Sequence, residues 1–405
     1  MSVAAIDQKP GSTPGGASSG LSHAEAVARA RALAPALRER AQRAEDERRV
    51  PLESVEAIVG AGLARILQPR RFGGYEISHD AAFDVAAEIA AGCGSTGWCA
   101  SLLNIHAWWL AGFPEQAQHD VWDASPDQRL AAMVYPTGKA APADGGFRLS
   151  GRWGFVSGVD HSDWAIVAAM VFGPQGPPQA RHFLVPRRDY AVLDTWHNVG
   201  MRGTGSNDLV VDDVFVPAHR TLAMDDFREG TTPGSAVNTG PLYRGPMICT
   251  FPHALAGPAL GIARGALAAW LEWTREKTAT ATGESVAEWP HVQMRIAQTE
   301  SEIDAAEMLM RRNLELIRNG GPDDPDLRSR SFSTYGQAVK MLCRAVDTLF
   351  DMSGARGMRD ENLIQRAWRD VHAIGAHVGL NTDLSGQSRG RYLLGLPRDP
   401  KVRMY

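Results

Sequence analysis

The chain has 405 residues, of which 44% are hydrophobic and 22% charged, with a formal net charge of -4. That length exceeds one compact core of ordinary size, so two or three packed layers are expected, and the acidic balance lacks the basic excess of a nucleic-acid-binding protein. Four cysteines, Cys93, Cys99, Cys249 and Cys343, form no C-x-x-C pair, which argues against a zinc site and a secreted disulfide framework.

Residues 1–20 are rich in Gly, Ser and Pro and read as a disordered tail. They show no signal-peptide pattern, and no run of 18 apolar residues follows, so a cytoplasmic protein without a membrane segment is expected. Ser22 and Glu25 form an S-x-x-E capping box that predicts a helix to about Arg49. A second helix follows Pro51, with Val55, Ile58, Val59 and Leu63 at helical spacing, and a third runs from about Asp80 through Phe83, Ala87 and Ile89. Gly92 and Gly94 interrupt it, after which Ser95 or Thr96 caps an apolar helix carrying Trp98, Leu102, Ile105, His106 and Trp109. Residues 21–135 thus read as an N-terminal helical domain.

The texture changes after Pro136. Asp144-Gly145-Gly146 is a turn, and β-rich runs follow at Trp164 to Val171, Arg181 to Val185, Tyr190 to Trp196 and Asp208 to Val216. Residues 136–235 therefore read as a small antiparallel barrel or sandwich. From His253 the helical period returns, most clearly in Val292, Ile296, Thr299, Ile303, Ala306, Met310, Leu314 and Ile317. Breaks near Gly283, at Gly320-Gly321-Pro322 and near Gly354 and Gly357 divide residues 236–405 into about four helices, the count of a bundle. The fold class is mainly α with a central β domain.

This order resembles the acyl-CoA dehydrogenases: N-terminal helical domain, small β-barrel, C-terminal four-helix bundle. Local motifs resemble their two-component flavin monooxygenase relatives, such as the hydroxylases of 4-hydroxyphenylacetate and of the secosteroid phenol. These motifs are Cys93-Gly-Ser-Thr-Gly-Trp98 with His106 eight residues on, Trp153-Gly-Phe-Val-Ser157-Gly158, Gly200-Met-Arg-Gly-Thr-Gly-Ser-Asn207 leading to Asp213-Val-Phe-Val-Pro217, and Trp368-Arg-Asp-Val-His372 followed by His377. Many acyl-CoA dehydrogenases carry a catalytic glutamate shortly after an Arg-Asp pair. Aligning that pair on Arg369-Asp370 places His377-Val378-Gly379 there, with valine at the carboxylate position. An aliphatic side chain cannot abstract a proton. The dehydrogenase reading is the alternative, and a non-catalytic ligand-binding or assembly protein the third.

The resemblance implies a reduced flavin, FMNH2 or FADH2, delivered by a separate NAD(P)H-dependent reductase, which reacts with dioxygen to a C4a-hydroperoxyflavin that hydroxylates an aromatic ring: a phenol, an indole or a polyketide aromatic. It places Ser157 beside flavin N5, His377 near the oxygen adduct, and His106 on the substrate hydroxyl as contact or base. Trp98 is expected near the flavin or substrate, while Arg275, Arg356 and Gly357 resemble places where the flavin phosphates are gripped, partly across a subunit boundary of a homotetramer. Trp108, Trp109, Phe155 and Trp164 add to an aromatic-rich centre, which core packing largely explains. His372 and His377 lie about 140° apart around a helix, so no metal site is expected and His372 is read as structural. The Gly200 loop lacks a βαβ context, which speaks against a dinucleotide fingerprint; it reads as a tight turn with Arg202 in a structural pairing, while the resemblance leaves open a role at the flavin edge.

Overall fold

Ser22 and Glu25 start the first helix as expected: Ser22 Oγ accepts the Glu25 N–H at 3.3 Å, and the Glu25 carboxylate accepts the Ser22 N–H at 2.9 Å. The computed structural model describes residues 20–173, 177–318, 324–397 and 399. Apart from Gly20, the expected disordered tail lies outside the described residues, as does the break at Gly320-Gly321-Pro322.

Six helices come first: α1 (His23–Glu39), α2 (Ala41–Glu47), α3 (Leu52–Gly60), α4 (His79–Gly92), α5 (Gly94–Leu110) and α6 (Glu115–Trp122). The single helix expected to Arg49 is two, broken at Arg40 and closed by Arg48 in the left-handed region at φ 53°. Ser95 and Thr96 do not cap α5. It begins at Gly94 after Cys93, whose extended backbone (φ -150°) turns the chain without a side-chain cap. The sharp turn follows from packing, since a Cβ on Gly92 would sit 2.4 Å from the Ala34 carbonyl oxygen of α1. Apart from Cys99 and Leu103, α5 is buried along its whole length. A helix apolar on all sides belongs in the middle of the molecule.

Seven strands follow: β1 (Leu130–Ala143), β2 (Gly146–Val156), β3 (Trp164–Val171), β4 (Gln179–Pro186), β5 (Ala191–Leu193), β6 (Asn207–Pro217) and β7 (Thr221–Ala223). They form one sheet in the order β5-β6-β2-β1-β3-β4-β7. The barrel or sandwich expected to be antiparallel is a mixed sheet with β5 and β7 at its ends, because β1 and β3 run parallel. Strand β1 begins six residues before the expected boundary. Pro136 lies where the β1–β3 register shifts, between Met133 and Gly138, a place where a proline costs no ladder bond. One face of the sheet closes on Trp153, whose Nε1 donates to the Ala168 carbonyl at 2.7 Å.

The rest is helical: α7 (Met224–Glu229), α8 (Met247–Thr250), α9 (Pro252–Glu276), α10 (Pro290–Ile317), α11 (Pro325–Ser353), α12 (Leu363–Gly375) and α13 (Thr382–Leu393). The region expected to hold about four helices holds five of twelve residues or more. The α10 stripe is buried as its period predicts, with Ile296 only partly so. Met247–Glu276 is long and apolar enough to cross a membrane by length and composition, with a mean hydropathy of 1.3, but 72% of its most apolar window is buried inside the bundle, as in a core helix.

His182 of β4 is fully buried edge-on against the stacked rings of Trp109 and Phe227, and neither ring nitrogen has a hydrogen-bond partner among the described residues. Burial pushes its pKa down to about 3. An unfolded histidine protonates near pH 6.5, so between 6.5 and 3 the unfolded chain binds a proton that the folded chain refuses, and stability falls as pH falls. At pH 5 this amounts to about 2 kcal/mol. His182→Leu is expected to lose less melting temperature between pH 7 and pH 5 than the wild type, as thermal unfolding at both pH values would measure; equal losses would contradict it.

Candidate active site

Helix α5, the sheet and α12 meet around a cavity of about 560 Å³, a size typical of small-molecule and cofactor sites, roughly 300–1,000 Å³. Trp98, Leu102, His106 and Trp109, spaced four, four and three along α5, form one wall because that spacing repeats one helical face. Residues 132–135 at the β1 irregularity form another, and Ile374, His377 and Val378 at the end of α12 a third. The end of β2 supplies Phe155 and Ser157. Phe155 is held at φ 61°, a strained conformation for a bulky side chain and one found at functional sites.

The residues expected from the sequence converge here. Trp98 Nε1–H donates to Ser157 Oγ at 3.1 Å, and the Trp98 ring lies 5.5 Å from the His377 ring, so Trp98 bridges the two. His377 Nδ1 accepts the Gly379 N–H at 3.1 Å. Burial pushes the His377 pKa down to about 4, so near neutrality its one proton sits on Nε2 as a donor. His106 is set the other way. Its Nδ1 faces the Leu130 carbonyl oxygen at 2.8 Å, which can only accept, so Nδ1 carries the proton and Nε2 keeps a lone pair. Burial lowers its pKa to about 4 as well. The cavity therefore holds one imidazole donor and one imidazole acceptor, and no Asp or Glu lines it among the described residues.

The loop from Val199 to Ser206 closes one side and is tied to α12. The buried Asp370 carboxylate accepts the Met201 N–H at 2.6 Å, and Arg369 Nη1 donates to the Val199 carbonyl at 2.6 Å. Burial pushes the Asp370 pKa up to about 7. A Cβ on Gly200 would lie 2.2 Å from the Arg369 carbonyl oxygen, which explains the glycine there. Arg202, expected in a structural pairing, is instead exposed and makes no ion pair or hydrogen bond among the described residues, because the loop's anchors come from α12 and not from its own arginine. His372 is structural as expected, with Nδ1 on the Trp368 carbonyl at 2.8 Å and its ring against Trp368.

Three expected residues do not join this cavity. Arg356 lines a separate recess of about 450 Å³ with Trp270, Trp273, Arg359 and Asn362. Gly357 is buried beside it, where a Cβ would meet Ser353 Cβ at 2.5 Å, and Arg275 is exposed in the last turn of α9. A short motif gives a residue's place in the chain but not the direction it faces. Sequence reasoning in turn missed Ser206 and Thr204, which line the cavity beside Ser157. Their signal lay in the hydroxyls of the Gly200 loop, read there as turn residues. Among the described residues no group of three or more His, Cys, Asp or Glu is placed to hold a metal ion.

Comparisons with known proteins agree with the fold. Residues 22–122 match "Acyl-CoA dehydrogenase, N-terminal domain" and residues 253–382 match "Acyl-CoA dehydrogenase, C-terminal domain". The FADH2-dependent resorcinol hydroxylase, oxygenase component, of Rhizobium sp. (strain MTP-10005) is 40% identical over 394 residues, 94% of this chain and 96% of that protein. The chain belongs to the flavin-dependent monooxygenases of the acyl-CoA dehydrogenase fold. Another such monooxygenase, the oxygenase subunit HsaA of Rhodococcus jostii (strain RHA1), is 38% identical over 90% of this chain and 97% of its own. Among solved monooxygenase structures, 3-HSA hydroxylase from Rhodococcus sp. RHA1 superposes with a TM-score of 0.88 at 36% identity, covering 93% of this chain and 99% of that one. XiaF from Streptomyces sp., in complex with FADH2 and glycerol, superposes with a TM-score of 0.86 at 30% identity, covering 93% and 96%.

Proposed function

We infer that this chain is the oxygenase component of a two-component flavin monooxygenase that hydroxylates an aromatic substrate with reduced flavin, FMNH2 or FADH2, and dioxygen. The observation that carries this reading is the pairing of an imidazole donor, His377, with an imidazole acceptor, His106, in one aromatic-walled cavity that no carboxylate lines among the described residues. Acyl-CoA dehydrogenases of this fold deprotonate their substrate with a carboxylate; the cavity has no Asp or Glu among the described residues, and Val378, aligned with the glutamate by the resemblance, lines it.

The residues fit a reduced flavin. Ser157 offers a hydroxyl to an N5–H, Trp98 and Trp196 offer flat walls, and the His377 Nε2–H has no protein partner among the described residues. When bound, the flavin supplies the electrons that activate dioxygen. His377 donates a hydrogen bond to oxygen held in the cavity, His106 accepts one from the substrate hydroxyl and takes its proton as the ring gives electron density to the incoming oxygen, and the apolar walls keep water out. Phenols suit this acceptor, as resorcinol and p-hydroxyphenylacetate do in the names of the relatives, with indoles and polyketide aromatics as further substrates. An oxygenase component works with a separate flavin reductase, and we propose NADH or NADPH as its electron source. We further propose a cytoplasmic homotetramer in which the Arg356 and Arg359 recess, together with Arg275 and Gly357, serves the flavin phosphates across a subunit boundary; Met294 and Met308, 72% exposed on α10, support such packing.

Aerobic turnover with chemically reduced FMN or FAD and a panel of phenols tests the function. Hydroxylated product is expected, with no reduction of an electron acceptor by acyl-CoA. Activity in the acyl-CoA assay alone would overturn the reading.

A further inference from the structure

Four polar side chains behind Ser157 form a chain whose protons can all be assigned. Trp98 Nε1–H lies 3.1 Å from Ser157 Oγ, the Ser157 and Ser206 hydroxyls are 2.7 Å apart, the Ser206 and Thr204 hydroxyls 2.6 Å apart, and Thr204 Oγ1 is 2.9 Å from the Met201 carbonyl oxygen. A carbonyl has no proton, so the Thr204 proton must lie on that last contact. Thr204 can then only accept from Ser206. Ser206 has spent its single proton and can only accept from Ser157, while the indole at the other end can only donate. The direction runs Trp98 to Ser157 to Ser206 to Thr204 to Met201. Its far end is fixed, because the Met201 N–H is held by Asp370 at 2.6 Å and the Met201 carbonyl also takes the Trp196 Nε1–H at 2.9 Å.

This assignment leaves Ser157 with its proton turned away from the open part of the cavity and one lone pair free. The hydroxyl is therefore an acceptor only. We propose that Ser206 and Thr204 are positioning residues that fix Ser157 as an acceptor, and that this polarity makes the site select reduced flavin over oxidised flavin. Reduced flavin carries a hydrogen on N5 and donates it; oxidised flavin carries a lone pair on N5, which would face the lone pair of Ser157. An unrestrained serine rotates its hydroxyl to suit either state and selects neither. The inference rests on the reading that Ser157 faces flavin N5, and it names the residues that turn that contact into redox selectivity.

The test is an anaerobic equilibrium titration of the full-length protein with reduced and with oxidised FMN, and again with FAD, for the wild type and for Ser157→Ala, Ser206→Ala, Ser206→Thr and Thr204→Val. Ser206→Ala frees the Ser157 proton to swing into the cavity. It is expected to narrow the ratio of the oxidised to the reduced dissociation constant by about five- to tenfold, the worth of one hydrogen bond, mainly by tightening oxidised binding. Thr204→Val, which releases the chain one step further back and keeps the volume, should shift the ratio the same way by less. Ser206→Thr restores the hydroxyl and should restore the ratio, which a role in packing alone would not require. Ser157→Ala should weaken reduced flavin and leave oxidised flavin nearly unchanged. If Ser157→Ala alters neither dissociation constant, Ser157 does not face N5 and the underlying reading falls. If Ser157→Ala weakens reduced flavin while Ser206→Ala and Thr204→Val keep the wild-type ratio, the placement of Ser157 stands and the relay is overturned.

Discussion

His377→Ala is expected to cut hydroxylated product by about 10²-fold or more while oxygen consumption continues and appears as hydrogen peroxide. The size of the effect follows from the protonation state the fold imposes. With Nδ1 occupied by the Gly379 N–H and the pKa lowered to about 4, the ring is neutral at working pH and its only proton is on Nε2, where no side chain among the described residues competes for it. Alanine removes that donor and opens space for water, which favours loss of the oxygen as peroxide. Reduced-flavin affinity should change little, because the proposed partner of flavin N5 is Ser157 and not His377. His377→Asn keeps an N–H donor and should recover part of the product yield. The expected pH dependence is flat from about pH 5 upward, since a ring whose pKa is lowered to about 4 gains a proton only when pH falls below that range. Product formed per oxygen consumed, measured for wild type and both variants, checks all three statements. Full coupling in His377→Ala would remove His377 from the chemistry.

The order helices, strands, helices was legible because each layer has its own period: the α10 stripe repeats every three or four residues, and β3 was readable to the residue as Trp164 to Val171. Boundaries were legible where a side chain makes the boundary, as at Ser22 and Glu25. They were not where packing makes it: α5 starts at Gly94 because α1 crowds Gly92, and nothing local to Ser95 or Thr96 reveals that. The sheet order was also hidden, since β1 pairs in parallel with β3 across a register shift that a proline marks. The site shows the same division. Trp98, His106, Ser157 and His377 could be singled out because motifs carry them, and the fold brings them to one cavity. Ser206 stands 49 residues from Ser157, so their 2.7 Å contact and the proton order it enforces are properties of the folded chain alone. Arg356 lines a separate recess and Arg275 ends α9, placements that only the folded chain reveals.

His106→Ala is expected to slow hydroxylation of an ordinary phenol by about 10²-fold, with reduced-flavin binding intact, and the deficit should shrink as the phenol becomes more acidic. The argument begins at the sheet. Leu130 opens β1 and is paired with Trp164 of β3, so its carbonyl is a fixed acceptor that holds the proton on His106 Nδ1 and leaves the Nε2 lone pair free. At 2% exposure, with its pKa pushed down to about 4 by burial, the ring stays neutral and able to accept throughout the working range. A substrate hydroxyl meeting that lone pair is drawn toward phenolate, which raises electron density on the ring carbon that receives oxygen. Without His106 the substrate must ionise unaided. The rate of His106→Ala should therefore climb with pH toward the phenol's own pKa, about 10 for a ring such as tyrosine's, whereas the wild type stays flat above about pH 5. A nitrated or polyfluorinated phenol, already largely ionised near neutrality, should react with the two proteins at rates within a few-fold of each other. Equal deficits with acidic and ordinary phenols would show that His106 shapes the cavity without accepting the proton.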